Sequence, residues 1–156
     1  DSIAEAMRPA AIVRPGGEFS ASQIMEAMAA LSPLQTLNSA TRAVHAAAFW
    51  NAPKGIVALR EDVGRHNALD KLAGALARSN TDGGSGMVLL TSRVSVEMVQ
   101  KTAIIGAPLI VSVSAPTALA VRMADAAGIT LAAIARADGF EVFTHNYRLN
   151  FTKAIA

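Results

Sequence analysis

The sequence predicts an α/β fold: a three-layer αβα domain whose mostly parallel sheet carries helices on both faces. Three observations predict it. Short, nearly continuous apolar runs at Met87–Leu90, Pro108–Val113 and Ile129–Ala135 have the length of strands buried on both sides. Amphipathic segments alternate with those runs, the order that βαβ crossovers require. The chain has 156 residues, 52% of them hydrophobic and 17% charged, which is enough for one core over residues 1–156.

Each element has its own signal. Arg14-Pro15-Gly16-Gly17 is turn chemistry and separates an opening segment from the first helix. Ser20 or Ser22 can cap that helix, which carries Ile24, Met25, Met28 and Leu31 at helical spacing. Leu34 to Trp50 reads as a short helix, an irregular stretch around Thr41, then an apolar strand or helix. Ala46-Ala47-Ala48-Phe49-Trp50 has no period that decides between the two. Ile56 to Arg60 reads as a strand and Glu61-Asp62-Val63-Gly64 as a loop. Ala68, Leu69, Leu72, Ala73 and Leu76 mark the next helix, with Asn67 as a possible cap and Asp70 three residues on. Thr81 to Gly86 reads as a flexible connection. A helix begins at Ser95, another runs from Thr117 to Ala127 with Gly128 as its stop, and Phe140 to Phe143 reads as an edge strand.

Composition excludes several classes. High hydrophobicity excludes intrinsic disorder. Cysteine is absent, so these residues hold no disulfide, no thiolate zinc site and no thiol nucleophile. The formal net charge is +2 and the basic residues are scattered, which is no nucleic-acid footprint but suits an anionic small ligand. The longest nearly apolar stretch, Pro108 to Val121, is interrupted by Ser112, Ser114, Pro116 and Thr117 and is too short to span a membrane. No basic and apolar signal segment opens the chain. The expectation is a soluble, cytoplasmic protein. Its start at Asp1, with no initiator Met, suggests a missing upstream segment.

In open α/β sheets, ligands sit beyond the carboxyl ends of the strands. Two junctions there are dense in polar groups. In Arg60-Glu61-Asp62-Val63-Gly64-Arg65-His66-Asn67-Ala68-Leu69-Asp70-Lys71, helix N–H groups together with Arg65 and Lys71 can hold phosphate oxygens. Asp62, Asn67 or Asp70 can accept from a purine or ribose edge. The plainer reading is a capped helix with His66 and Asp70 as a surface pair one turn apart. The second junction, Thr91-Ser92-Arg93-Val94-Ser95-Val96-Glu97-Met98-Val99-Gln100-Lys101, again places hydroxyls and an arginine at a helix start. There Ser95 as a cap needs no ligand to explain it. Ser112-Val113-Ser114-Ala115-Pro116-Thr117 is uncharged, and its proline favours a helix start.

Other chemistries lack their residues. His45, His66 and His145 have no metal-ligand spacing, so no metal site is expected. There is no G-x-S-x-G elbow, P-loop or G-x-G-x-x-G fingerprint, and Gly83-Gly84-Ser85-Gly86 precedes a strand and reads as a linker. Zinc-deaminase chemistry is excluded without its cysteines.

The Arg60–Lys71 run resembles the signature of the formate dehydrogenase accessory sulfurtransferase family, FdhD. Ser92-Arg93-Val94-Ser95-Val96-Glu97-Met98-Val99-Gln100-Lys101 is similar to its S-x-R-x-S-x-E-M-V-x-K element, without the glycine usual after the first serine. Ser114-Ala115-Pro116-Thr117 and the closing Phe140 to His145 also fit, so the resemblance covers about Ser2 to Arg148. It implies a cytidine-deaminase-like fold that has lost the zinc site. It further implies transfer of persulfide sulfur from a cysteine desulfurase to the bis(molybdopterin guanine dinucleotide) molybdenum cofactor, which activates formate dehydrogenase, by a homodimer. The implied carrier is a C-x-x-C loop just before the Ser2–Glu5 segment, so the expectation is a fragment lacking that loop. The family's usual Gly-Gly is replaced here by Arg42-Ala43 after Thr41, which unsettles a ligand role for that turn.

Physical reading and resemblance together give the expected contacts for the cofactor, or for GDP-like nucleotides. Pyrophosphate oxygens would meet Arg65, Lys71, Arg93 and Lys101, with Ser92 and Ser95 at the second helix start. His66, Asn67 and Asp70 would orient polar edges. The resemblance alone adds Phe140, Glu141, Val142, Phe143, Thr144 and His145. The rival reading is a non-enzymatic guanine-nucleotide-binding or scaffold module.

Overall fold

The apolar run without a period becomes a strand because both of its faces are covered. In the computed structural model, which describes residues 12–13, 17–34 and 44–150, His45–Asn51 forms β2, with Ala46 to Trp50 buried. Ala47 and Phe49 point into one core, Ala48 and Trp50 into another. A helix would place only one stripe inward, and here every residue is needed inside.

The other elements are β1 (Phe19–Ser20), α1 (Ala21–Leu31), β3 (Gly55–Asp62), α2 (Arg65–Arg78), β4 (Gly86–Leu90) and α3 (Val96–Ile105). They continue with β5 (Leu109–Ser112), α4 (Ala118–Ala127), β6 (Thr130–Arg136), β7 (Gly139–Thr144) and β8 (Leu149–Asn150). The main sheet has six strands in the order β3-β2-β4-β5-β6-β7. Strands β4, β5 and β6 pair in parallel, while β2 is antiparallel to both of its neighbours and β7 to β6. Strands β3, β4, β5 and β6 therefore run the same way and deliver their carboxyl ends to one edge.

Helices cover both faces, giving three layers. Leu69 and Leu72 of α2, Met98 and Val99 of α3, and Met123 and Ala124 of α4 pack with Val88, Leu90 and Ile110. On the other face, Ile24, Ala27 and Leu31 of α1 pack with Met87, Leu89, Leu109 and Val111. Truncating one such leucine to alanine costs about 2–5 kcal/mol.

Caps account for the helix boundaries. Ser20 rather than Ser22 starts α1: its Oγ accepts from the Gln23 N–H (3.1 Å), and Gln23 Oε1 accepts from the Ser20 N–H (2.9 Å). Thr117 caps α4, and Gly128, left-handed at φ 77°, ends it. The expected linker at Thr81–Gly86 is instead a tight turn capped by Asp82. A Cβ at Gly83 would collide with the Ile105 carbonyl and one at Gly86 with the Trp50 carbonyl, so these glycines permit close packing. The expected loop at Glu61-Asp62 belongs to β3, since both residues pair with β2. Ser32–Leu34 forms a single 3₁₀ turn. The Arg14–Gly16 turn, the rest of the short helix expected after Leu34, and the Thr41–Ala43 turn lie outside the described residues. Among the described residues, no helix is long and apolar enough to cross a membrane.

Candidate functional site

The carboxyl edge gathers the two polar junctions. The first is organised by Asp62, the last residue of β3. Its Oδ1 accepts from the Gly64 N–H (2.9 Å) and from Asn67 Nδ2 (3.4 Å), and its Oδ2 lies 2.7 Å from Lys71 Nζ. Lys71 also donates to the Glu61 carbonyl at 3.4 Å. Lys71 first, then the Gly64 N–H, hold the Asp62 carboxyl down to about 2. Because this carboxylate fixes the turn, α2 begins at Arg65 with Gly64 at the cap position. The expected cap, Asn67, instead lies in the first turn and donates back to Asp62.

Asp70 does not complete a capping box. It faces α3 and pairs with Lys101 Nζ at 2.9 Å, tying two helices together. His66 sits on the same side. Partial burial, then Lys101 and Arg65, lower its pKa, against a weaker opposite pull from Glu97 and Asp70. The imidazole is therefore neutral at pH 7.

The second junction is stitched by hydroxyls. Thr91 Oγ1 accepts from the Ala46 N–H, Ser112 Oγ donates to the Ser92 carbonyl, and Ser114 Oγ donates to the Thr91 carbonyl. Ser92 is 2% exposed and donates to the Arg93 carbonyl and Met98 Sδ, so its hydroxyl is engaged inside the protein. Arg93 is exposed. Ser95 holds the cap position of α3 but makes no side-chain cap bond. Ser95 Oγ and Arg65 Nε are buried atoms without a hydrogen-bond partner among the described residues. Buried polar atoms are normally satisfied, and both of these belong to the carboxyl edge. An anion with free acceptor oxygens fits the guanidinium, and a hydroxyl such as that of Ser95 can likewise donate to an anion.

The expected site residues thus fall into groups. Arg65, His66, Arg93 and Ser95 remain open to a ligand, whereas Asn67, Asp70, Lys71, Ser92 and Lys101 hold the junctions together. The Phe140–His145 segment is most of β7 and the residue after it, at the opposite edge of the sheet from β3. Five strand spacings separate those edges, about 24 Å. Phe140 and Val142 pack on the α1 side, while Glu141 and Phe143 are exposed. Thr144 pairs with Leu131 near the amino end of β6, so Thr144 and His145 lie away from the carboxyl edge. Thr144 Oγ1 donates to the Ile129 carbonyl (2.7 Å) and accepts from the Leu131 N–H (2.9 Å). His145, left-handed at φ 44°, donates from Nε2 to the Asp125 carbonyl at 2.7 Å. Among the described residues no group of three metal-ligating side chains converges.

Two features escape sequence reasoning. Asp62 acts as the hub of the first junction, signalled only by an Asp two residues before a Gly at a helix start. A cavity of about 590 Å³ opens on the other face of the sheet, lined by Met25, Glu26, Met28, Val113, Ala135 and Arg136. Its walls come from three distant segments, so no local pattern announces it.

The profile of the FdhD/NarQ family matches residues 1–150. The chain is 57% identical over 126 residues to the sulfur carrier protein FdhD of Agrobacterium fabrum, covering 81% of this chain and 46% of that one. It is 51% identical over 156 residues to the sulfur carrier protein FdhD of Cupriavidus necator, covering 100% of this chain and 54% of that protein. The chain therefore spans about half the length of these curated relatives. A solved structure from Desulfotalea psychrophila, named as a candidate formate dehydrogenase accessory protein, superposes with a TM-score of 0.83 at 29% identity. That match covers 94% of this chain and 62% of the other.

Proposed function

The chain belongs to the FdhD/NarQ family, and from that premise we propose that it is the cofactor-holding part of a sulfur carrier in formate dehydrogenase maturation. In this reading persulfide sulfur from a cysteine desulfurase passes to bis(molybdopterin guanine dinucleotide), within a cytoplasmic homodimer. The single observation that carries the binding role is that Arg65 and Ser95, both at the carboxyl edge, each keep a buried polar atom with no partner among the described residues.

The chemistry divides accordingly. Sulfur transfer needs a thiolate, and these 156 residues contain no cysteine. This chain's own residues therefore bind and orient, while the sulfur-bearing group comes from outside them. Arg65 meets a phosphate oxygen with its fork of donors, and the Ser95 hydroxyl and first-turn N–H groups of α2 and α3 face developing or fixed negative charge. Neutral His66 offers a donor or an acceptor beside them. A ligand carrying two nucleotide arms can extend along the carboxyl edge toward β7, which keeps Phe140 to Phe143 as proposed contacts, while Thr144 and His145 bond inward at the amino edge.

Calorimetric titration with GDP tests the binding role. The wild type binds, and Arg65→Met weakens binding about ten- to a hundredfold, the worth of one charge-assisted contact, with an unchanged melting temperature. Absence of binding by the wild type, or equal binding by both, overturns the reading. A guanine-nucleotide-binding module with no part in sulfur transfer gives the same titration. It differs in leaving formate dehydrogenase activity intact when the gene is deleted, and our reading requires that activity to be lost.

A further inference from the structure

The two lysines of the polar junctions are both paired, and this divides the signature into scaffold and ligand-facing halves. We infer that Asp62 is a positioning residue that holds Lys71 away from the ligand and leaves Arg65 as the cation of α2 that meets it. The inference rests on the reading of this edge as an anion site.

Helical geometry supports the division. Asn67 and Lys71 are four residues apart and share one side of α2, the side that meets Asp62. His66 and Asp70, also four apart, share the side that meets α3, where Asp70 pairs with Lys101. Arg65 lies six residues before Lys71, about 120° around the helix from it. A single ligand group meeting Arg65 is therefore not on the Lys71 side.

The bonding of Lys71 points the same way. Its Nζ is 2.7 Å from Asp62 Oδ2 and 3.4 Å from the Glu61 carbonyl, so it is drawn back onto the end of β3. The Asp62 side chain is 18% exposed while that of Lys71 is 52% exposed, so the carboxylate is the anchored partner. With its other oxygen Asp62 fixes the Gly64 N–H, and Arg65 follows directly. One carboxylate thus sets the start of α2 and restrains its nearest lysine. The Asp62 carboxyl stays ionised across the working pH range, so protonation does not release Lys71.

The test is GDP titration of purified wild type, Arg65→Met, Lys71→Met, Asp62→Asn and the Asp62→Asn/Lys71→Met double variant, at low and physiological salt. Lys71→Met stays within about twofold of wild type at physiological salt, as expected of a screened, paired charge. Arg65→Met loses about tenfold or more. Asp62→Asn keeps an acceptor for the Gly64 N–H but frees Lys71, so affinity rises roughly threefold at low salt and its salt dependence steepens. The double variant returns both to the wild-type values. Equal losses from Lys71→Met and Arg65→Met overturn the inference while leaving the anion site in place, as does an Asp62→Asn gain that survives removal of Lys71. Failure of the wild type to bind GDP overturns the site itself and the inference with it.

Discussion

The two ends of the sheet each carry an arginine, a histidine and a set of hydroxyls, yet one end is open and the other closed. At the amino edge Arg148 is 1% exposed and donates from Nη1 to the Pro108 and Gly128 carbonyls and to Thr130 Oγ1. Thr130 donates in turn to the His145 carbonyl, and Thr144 bridges β6 to the Ile129 carbonyl. Its polar atoms look inward, at backbone that the crossover loops would otherwise leave unsatisfied. At the carboxyl edge the carboxylates and most hydroxyls also look inward, but Arg65 and Ser95 each keep a buried atom with no partner among the described residues. Residue type does not separate structure from function here; the bonding state of each polar atom does.

The comparison breaks most visibly at Arg148. Arg148→Met leaves two carbonyls and a hydroxyl without their donor and should cost about 3 kcal/mol. For a domain of this size that is about a 10 °C fall in melting temperature. A small change there would show that the closed edge is not what holds β8 and the crossover loops.

A second prediction concerns His66. Burial and the neighbouring cations lower its pKa in the free protein, and a bound phosphate oxygen raises it. Between those two values binding takes up a proton, so affinity rises as pH falls through that window. Because a nucleotide phosphate itself takes up a proton near pH 6, the readout is the ratio of wild-type to His66→Gln affinity. That ratio should grow about threefold or more between pH 7.5 and 5.5. A flat ratio would place His66 outside the ligand's field.

The smallest effect is expected at His145. Its Nε2 caps a carbonyl at the carboxyl end of α4, a contact worth about 1 kcal/mol or less. His145→Gln should lower the melting temperature by about 2–3 °C. A loss as large as that of Arg148→Met would make His145 a second keystone of the closed edge.

Much of this fold is legible in the sequence because its central strands are buried on both sides. Met87–Leu90 and the run from Pro108 announce themselves as apolar blocks, and Thr117 and Gly128 mark the ends of α4. The direction of β2 is not legible, because Ala46 to Trp50 would be equally apolar in either sense. The tight turn at Gly83–Ser85 was hidden because glycine signals both looseness and close approach, and only the Ile105 carbonyl distinguishes them. At the site, charge clusters are legible but partners are not. Lys71 and Arg65 look alike as cations in a signature, and only the position of Asp62 shows that Lys71 is already engaged. The family resemblance stands over residues 1–150.

The central claim is that ligand meets the open edge and leaves the closed one undisturbed. Backbone amide NMR during a GDP titration reads both edges at once. The expected shifts concentrate at Gly64 to Asn67 and at Arg93 to Glu97, with Gly128 to Leu131 unmoved. Shifts confined to Gly128 to Leu131, or none at Gly64 to Asn67 on saturation, would contradict it.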